Sequence, residues 1–211
     1  MPEVYLNAEA LASISIALQK KNGNYFSVLP FDPSLTAEAK GADIKYDKSN
    51  LGPRKNQDLF KDIEELLNLP EIDFTKGRMA ETLKAVGILK AEGCHPAIEI
   101  TGPFSIINGL MDLPRFLMFF RKKGELIEEI LTKFNKDLVN YFIEANKAGC
   151  DIIFYTDSSV GVNLIGPKYM QQVLEWQTIP LLKEIDEKLP KNCLISLCPK
   201  LSFALTGSDL I

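Results

Sequence analysis

The stretch AGCDIIFYTDS, residues 148–158, decides the fold class. Within it, the segment Asp151 to Asp157 is short, apolar and rich in isoleucine and aromatic residues, and it closes on a polar turn, which is typical of a buried β-strand. Three other segments have the same character: Tyr25 to Pro30, Ala97 to Gly102 and Cys193 to Cys198. Because helical patterns separate most of these runs, the sequence predicts an α/β fold with about four parallel strands.

The segments between the strands show the period of amphipathic helices. Asn7 can cap a helix that ends near Lys21, and Gly149 can end a long helix from Glu125 to Ala148. A helix from Pro167 to about Leu189 is expected to bend at Pro180, because proline lacks a backbone donor. The other predicted helices are Asn56 to Asn68, Thr75 to Glu92, Pro114 to Lys123 and a short one from Leu35 to Lys40 within a loop-rich site wall, Phe31 to Pro53.

Four β/α units amount to half of an eight-stranded barrel, which typically takes about 250 residues. We therefore expect residues 1–211 to form a single domain, a partial TIM-barrel-like (β/α) fold with surrounding helices. An open parallel sheet of this kind exposes hydrogen-bonding groups at its edges and an apolar inner face. Association into a homodimer is the prediction that follows.

The composition limits the partners. With 24 basic and 28 acidic residues the net charge is −4 and the two signs are interspersed, which disfavours binding to nucleic acid. No segment approaches the roughly 20 apolar residues of a membrane span, and the N-terminus has no signal-peptide pattern, so a cytoplasmic location without a membrane partner is expected. The four cysteines form no C-x-x-C pair, and reduced thiols are expected.

Common catalytic motifs are missing from the sequence: it contains no glycine-rich phosphate loop, nucleophile elbow, H-E-x-x-H helix or calcium loop. The single histidine, His95, precedes the second strand run, and a structural role is favoured over catalysis. Function should instead be sought at the carboxyl ends of the strands, where ligands bind in α/β folds. There the sequence has Asp32, the segment Thr101 to Phe104, Asp157 and Cys198.

Asp32, Phe104 and Asp157 are the candidate ligand-binding residues, and the catalytic residues are left open. Either carboxylate could accept hydrogen bonds from N–H groups of a ligand or orient a polar substrate, and Gly102 with Pro103 could turn the chain so that Phe104 forms a flat apolar wall. Each candidate has a structural alternative. An aspartate after a strand often caps the next turn or helix, and a phenylalanine there often belongs to the core.

Three parts of the sequence resemble the uroporphyrinogen decarboxylase superfamily, which includes the cobalamin-dependent methyltransferases. They are FDPSL with AEAKGA at residues 31–42, ITGPFS at residues 100–105, and AGCD with YTDS at residues 148–158. The methyltransferase branch is favoured, and it implies a corrinoid such as cobalamin as substrate, either free or carried by a corrinoid protein; the superfamily as a whole implies a tetrapyrrole ligand. In the decarboxylase branch, the aspartate that corresponds to Asp32 binds the pyrrole nitrogens of the substrate.

The sequence departs from this resemblance at one strand. In the methyltransferase branch, the segment that corresponds to Leu194 to Cys198 usually reads His-x-Cys, and both side chains bind a catalytic zinc. Here Ser196 stands at the histidine position. Because a serine hydroxyl is a poor zinc ligand, zinc is not expected and no residue is predicted to bind a metal.

The resemblance therefore implies a shortened homologue of methylcobalamin:thiol methyltransferases with a degenerate zinc site and impaired catalysis. The alternatives are a non-enzymatic tetrapyrrole- or corrinoid-binding or assembly module, a uroporphyrinogen decarboxylase-like enzyme, and a truncated product whose missing half carried the activity. Whether the chain is an enzyme is left open.

Overall fold

The computed structural model describes residues 2–46 and 52–208. Its main sheet has four parallel strands, and a short antiparallel hairpin stands apart from it. The strands are β1 (Ser27–Leu29), β2 (Ile44–Lys45), β3 (Arg54–Lys55), β4 (Pro96–Thr101), β5 (Ile152–Thr156) and β6 (Leu194–Leu197). The order β1-β4-β5-β6 confirms the predicted α/β fold, and each of the four strand runs is found within a few residues of its predicted ends.

Ten α-helices surround the sheet in the described part of the chain. They are α1 (Ala8–Asn22), α2 (Leu35–Ala39), α3 (Gly77–Ala91), α4 (Pro103–Leu110), α5 (Leu113–Lys122), α6 (Gly124–Lys147), α7 (Val162–Ile165), α8 (Pro167–Val173), α9 (Ile179–Lys188) and α10 (Pro199–Thr206). Asn7 caps α1, because its Oδ1 accepts a hydrogen bond from the Ala10 N–H at 2.9 Å. Gly23 ends the helix in the left-handed conformation that glycine adopts readily.

The predicted bend at Pro180 takes the form of a change in helix type. Between α8 and α9, residues Leu174–Thr178 form a π-helical turn, and Pro180 lies at the start of α9. A proline in a helix removes one backbone donor, and wider turns commonly absorb such an interruption.

The predicted helix from Asn56 to Asn68 is wrong over its first half. Only Ile63–Asn68 is helical, as a 3-10 helix that begins at Asp62 with a capping box. Before it, the backbone N–H of Leu59 donates to the carbonyl oxygen of Leu110 at 2.9 Å, which holds this segment extended against the end of α4. The apolar spacing of the segment is typical of a helix, but the hydrogen bond to Leu110 holds the backbone in another conformation.

Within the loop-rich segment from Phe31 to Pro53, the predicted short helix from Leu35 to Lys40 is confirmed as α2. The segment also contains β2, which the sequence did not indicate and which pairs with β3 through Ile44 opposite Lys55. The sequence KSNLGP at residues 48–53 predicts a turn, and its residues 48–51 lie outside the described residues.

The two faces of the main sheet differ in their surroundings. On the outer face Leu29, Ile98 and Ile153 lie opposite one another on neighbouring strands, and all three are fully buried under the helices. On the inner face Glu99, Phe154 and Ser196 form a row that is only half-buried, and Leu194 is 66% exposed. This open inner face confirms the partial barrel. Over residues 2–46 and 52–208, no helix has the length and apolar character needed to cross a bilayer.

Candidate functional site

A cavity of about 460 Å³ opens at the carboxyl ends of the main strands. We call it the rim pocket, and it is lined by Pro33, Glu99, Thr101, Thr156, Ser158, Cys198, Pro199 and Lys200. Every strand of the main sheet contributes to it, either directly or through the residues that follow the strand. The pocket thus occupies the place where α/β folds bind their ligands.

The polar groups of the rim pocket lie on the inner faces of β4 and β5. The Thr156 hydroxyl donates to Glu99 Oε1 at 2.9 Å, and Thr101 lies directly opposite Thr156 in the strand register. Thr101 is 4% exposed, and its Oγ1 has no hydrogen-bond partner among the described residues. A buried polar atom without a partner is uncommon, so this hydroxyl can hydrogen-bond to a bound molecule.

A second cavity of about 370 Å³ adjoins the rim pocket and shares Pro33 and Ser158 with it. Its walls come from α2, the β2–β3 hairpin and α4, and they carry the polar side chains of Ser105, Asn108 and Ser159. Together the two cavities form a cleft along the carboxyl edge of the sheet. The loop-rich segment after β1 therefore does form a wall of this cleft, as its sequence indicates.

Asp32 is held in an ion pair behind this wall. Its Oδ2 accepts from Arg78 Nη2 at 2.6 Å, and its Oδ1 accepts from the Ser34 N–H at 3.0 Å. The same guanidinium donates to Glu38 at 2.8 Å and to the Tyr46 hydroxyl at 3.0 Å. Burial is the main cause that raises the pKa of Tyr46, so its hydroxyl stays protonated. The Asp32 carboxylate thus has internal partners on both oxygens.

Asp157 caps helix α4. Its two carboxylate oxygens accept from the N–H groups of Phe104 and Ser105, both at 2.9 Å, and from the Ser105 hydroxyl at 2.7 Å. Burial raises the pKa of Asp157 to about 6, although the hydrogen bonds from Ser105 and Phe104 act in the opposite direction. The structural alternative given for this residue, a cap after a strand, describes what the carboxylate does here.

Glycine is required at residue 102 for this cap to form. A Cβ atom at Gly102 would lie 2.5 Å from Asp157 Oδ2 and 2.7 Å from Asp157 Cβ, which are contacts that real side chains do not make. The Gly-Pro-Phe segment is therefore built as a helix start. Gly102 admits the capping carboxylate, Pro103 opens the helix without needing a donor, and Phe104 supplies a capped N–H.

Phe104 lies in the core. Its side chain is fully buried, with ring centroids 5.2 Å from Phe116 and 5.7 Å from Phe120. The structure brings Phe104 and Asp157 together through a hydrogen bond, while Asp32 binds Arg78 elsewhere. Since all three candidates have structural partners, contact between any of them and a ligand remains a prediction.

The side chains present do not fit a zinc site. Ser196 lies on the inner face of β6, and Cys198 lies directly after the end of this strand. The described residues contain no group of three histidine, cysteine, aspartate or glutamate side chains that could hold a metal ion. A structural or catalytic zinc takes three or four such ligands. Cys198 therefore stands in the rim pocket as a single thiol.

Reasoning from the sequence missed the polar groups that do line the rim pocket, namely Glu99, Thr101 as a hydroxyl donor, and Thr156. A signal for them was present. In the run Ala97 to Gly102, Glu99 is the one charged residue among apolar neighbours, and residues two positions apart share a face of a strand. That alternation puts Glu99 and Thr101 together on the side away from the helices.

Comparisons with known proteins agree with the fold. The family model described as Uroporphyrinogen decarboxylase (URO-D) matches residues 1–195. The chain is 22% identical over 209 residues to methylcobamide:CoM methyltransferase MtaA of Methanosarcina barkeri, covering 97% of this chain and 60% of that protein. It is 28% identical over 192 residues to MtbA of Methanosarcina acetivorans, covering 88% and 56%.

A solved structure, a methyltransferase from Methanosarcina mazei, superposes with a TM-score of 0.78 at 20% identity and shares the fold. The match covers 96% of this chain and 60% of that one. The chain thus spans about 60% of the length of these relatives.

Proposed function

The chain belongs to the uroporphyrinogen decarboxylase family, and from this premise we propose that its rim pocket binds a corrinoid, in the manner of enzymes that transfer a methyl group from a methylated corrinoid to a thiol. The curated relatives carry the name methylcobamide:CoM methyltransferase. The observation that carries the proposal is the cleft at the carboxyl edge of the sheet, whose lining includes Thr101, a residue with a buried hydroxyl that has no partner among the described residues.

The cleft suits a large, flat ligand with polar substituents. The walls of the rim pocket are mainly apolar, with Pro33 and Pro199 on two sides, while Glu99 and Thr101 offer one acceptor and one hydroxyl. The adjoining cavity adds Ser105, Asn108 and Ser159, which can hydrogen-bond to amide side chains of the kind that surround a corrin ring. A ligand that gives the Thr101 hydroxyl a partner removes the cost of leaving it unpaired.

We propose that methyl transfer by this chain alone is impaired. In the methyltransferase branch that the sequence resembles, the catalytic zinc converts the acceptor thiol to a thiolate. Ser196 and Cys198 do not provide the ligands for that ion. Without this activation, an acceptor thiol of ordinary pKa is mostly protonated at neutral pH and is a weak nucleophile.

Absorbance titration with methylcobalamin tests binding, and a parallel titration with a porphyrin tests the tetrapyrrole alternative. We expect saturable binding of methylcobalamin, weakened about 2- to 10-fold by Thr101→Val, which removes the hydroxyl but keeps the shape. The matched control is Thr82→Val. Thr82 on α3 also has a buried hydroxyl without a partner among the described residues, but it does not line the cleft.

Two results would count against corrinoid binding: no saturable change with methylcobalamin, or the same affinity in the wild-type chain and the Thr101→Val variant.

Loss of methyl from methylcobalamin in the presence of a thiol tests the proposal that methyl transfer by this chain is impaired. We expect a rate close to that without protein, and a clearly higher rate would show that the chain is a competent enzyme.

We further propose that a second copy of the chain covers the inner face, giving a homodimer. β1 and β6 are the edges of the main sheet in the described chain and run in the same direction. A twofold axis along the barrel would set β1 of each copy beside β6 of the other, with parallel pairing. Leu194, 66% exposed, and Phe203 on α10, 77% exposed, would then be buried.

Sedimentation of the 211-residue chain tests this arrangement. We expect a dimer that Leu194→Glu dissociates, whereas Leu18→Glu, at a residue that is 41% exposed on α1, leaves it intact. A stable monomer at micromolar concentration would rule the arrangement out.

A further inference from the structure

Two cysteines lie together at the amino ends of β5 and β6, away from the rim pocket. Cys150 precedes β5 and Cys193 precedes β6, and both are buried, free thiols. The two strands are paired at this point, since the Leu194 N–H donates to the Asp151 carbonyl oxygen at 2.9 Å. Cys150 lies in the turn before β5, outside the strand alternation, and paired strands run roughly 5 Å apart, so its Cα can lie within the distance from the Cys193 Cα that a disulfide spans.

The two thiols interact in the reduced chain. The thiols are close enough for each to shift the pKa of the other, and Cys150 Sγ also lies 3.0 Å from the Ile152 carbonyl oxygen. The interaction with Cys193, together with burial, raises the pKa of Cys150, whereas the interaction with Cys150 lowers the pKa of Cys193 and the side chain of Asn146 lowers it further. Cys193 is therefore the thiol that loses its proton first.

We propose that Cys150 and Cys193 form a thiol–disulfide exchange site that reacts with small disulfides such as oxidised glutathione. The Cys193 thiolate attacks one sulfur of the small disulfide, forms a mixed disulfide and expels one thiolate. Cys150 then loses its proton and attacks the Cys193 sulfur, which forms the Cys150–Cys193 bond and expels the second thiolate. Two electrons pass from the cysteine pair to the small disulfide, and the two protons go to the released thiolates.

The position of Cys193 gives a reagent access to the pair. Lys191 and Asn192, which lead into Cys193, are both exposed. The new bond would fasten β6 to the turn before β5.

The test uses two variants that each keep two cysteines. Cys94→Ser/Cys198→Ser keeps the proposed pair, and Cys150→Ala/Cys193→Ala keeps the other two. Both are treated with oxidised glutathione in the folded state, alkylated and analysed by mass spectrometry. We expect the first variant to lose both free thiols without gaining glutathione, and its tryptic peptides 148–168 and 192–200 to be joined. The second variant should form no internal disulfide.

The same peptide map of the wild-type chain keeps the proposal testable if either variant fails to fold. A Cys150–Cys193 link there supports it, and so does a higher denaturant midpoint that a dithiol reagent reverses. Glutathione on both cysteines of the first variant, thiols that stay alkylatable, or preferential pairing of Cys193 with Cys198 would overturn it.

Discussion

Replacement of Gly102 by alanine tests the helix start that follows β4. The added Cβ would lie 2.5 Å from Asp157 Oδ2, whereas non-bonded carbon and oxygen atoms approach to about 3.5 Å, so the carboxylate must move by roughly 1 Å. A shift of that size breaks the hydrogen bonds of 2.9, 2.9 and 2.7 Å that Asp157 accepts from α4. The cap and the buried carboxylate are lost together.

The expected cost follows from these contacts. Loss of a helix cap costs about 1–2 kcal/mol, and a buried charged group left without partners adds about 1–3 kcal/mol. Replacing glycine by alanine also reduces the conformational freedom of the unfolded chain, which stabilises the folded state by about 0.4–1 kcal/mol. We therefore expect Gly102→Ala to lower the free energy of unfolding by about 2–4 kcal/mol.

Denaturant unfolding followed by circular dichroism measures this difference. Gly87→Ala is the matched control, because Gly87 lies inside α3 and its added Cβ would meet only the Ala148 carbonyl oxygen, at 3.8 Å. We expect that control to be neutral or to stabilise the chain by up to about 1 kcal/mol. In an Asp157→Gly background, which removes the three atoms nearest to the added Cβ, most of the cost of Gly102→Ala should disappear. Equal effects of Gly102→Ala and Gly87→Ala, or an undiminished cost of Gly102→Ala in the Asp157→Gly chain, would show that the clash with Asp157 does not cause the loss of stability.

Three further predictions concern other parts of the molecule. Arg78→Met should lower the free energy of unfolding by about 3–5 kcal/mol, because it leaves the buried Asp32 carboxylate unpaired, while Lys84→Met at an exposed ion pair should leave it almost unchanged; similar urea midpoints for the two variants would contradict this. Burial raises the pKa of Asp157 to about 6, so the folded chain binds a proton there at a pH where the unfolded chain does not. Its stability relative to Asp157→Asn should therefore rise as pH falls from 7 to 4, by up to about 3 kcal/mol, and a pH-independent gap between the two would show that the pKa is not raised. Metal analysis of the purified chain should find no stoichiometric zinc, and zinc that is lost on Cys198→Ser would overturn our description of this cysteine as a single thiol.

The sequence was sufficient to predict the four strands of the main sheet. The four strand runs are short, apolar and bounded by turn residues, and a buried parallel strand needs little else to be identified. It was insufficient where a distant partner decides the conformation. Asn56 to Asp62 has helical spacing, yet the Leu110 carbonyl oxygen, some 50 residues away in the chain, holds this segment extended.

The sequence predicted where the candidate site lies, but it did not predict which polar groups line it. The carboxyl ends of the strands do frame the cleft, as strand polarity requires. The roles of Asp32 and Asp157, however, depend on Arg78 and on the α4 amides, and such partners are known only once the chain is folded. For Asp157 the capping alternative describes the observed contacts, and Phe104 lies in the core as its own alternative stated.

The Arg78 guanidinium joins three stretches of chain: the turn after β1, helix α2 and the segment following β2. Because one side chain holds all three, they should exchange their amide protons at a common rate, as a single cooperative unit, instead of fraying one after another. One wall of the cleft would then open or close as a whole, and its opening would set the slowest step by which a bulky molecule enters or leaves.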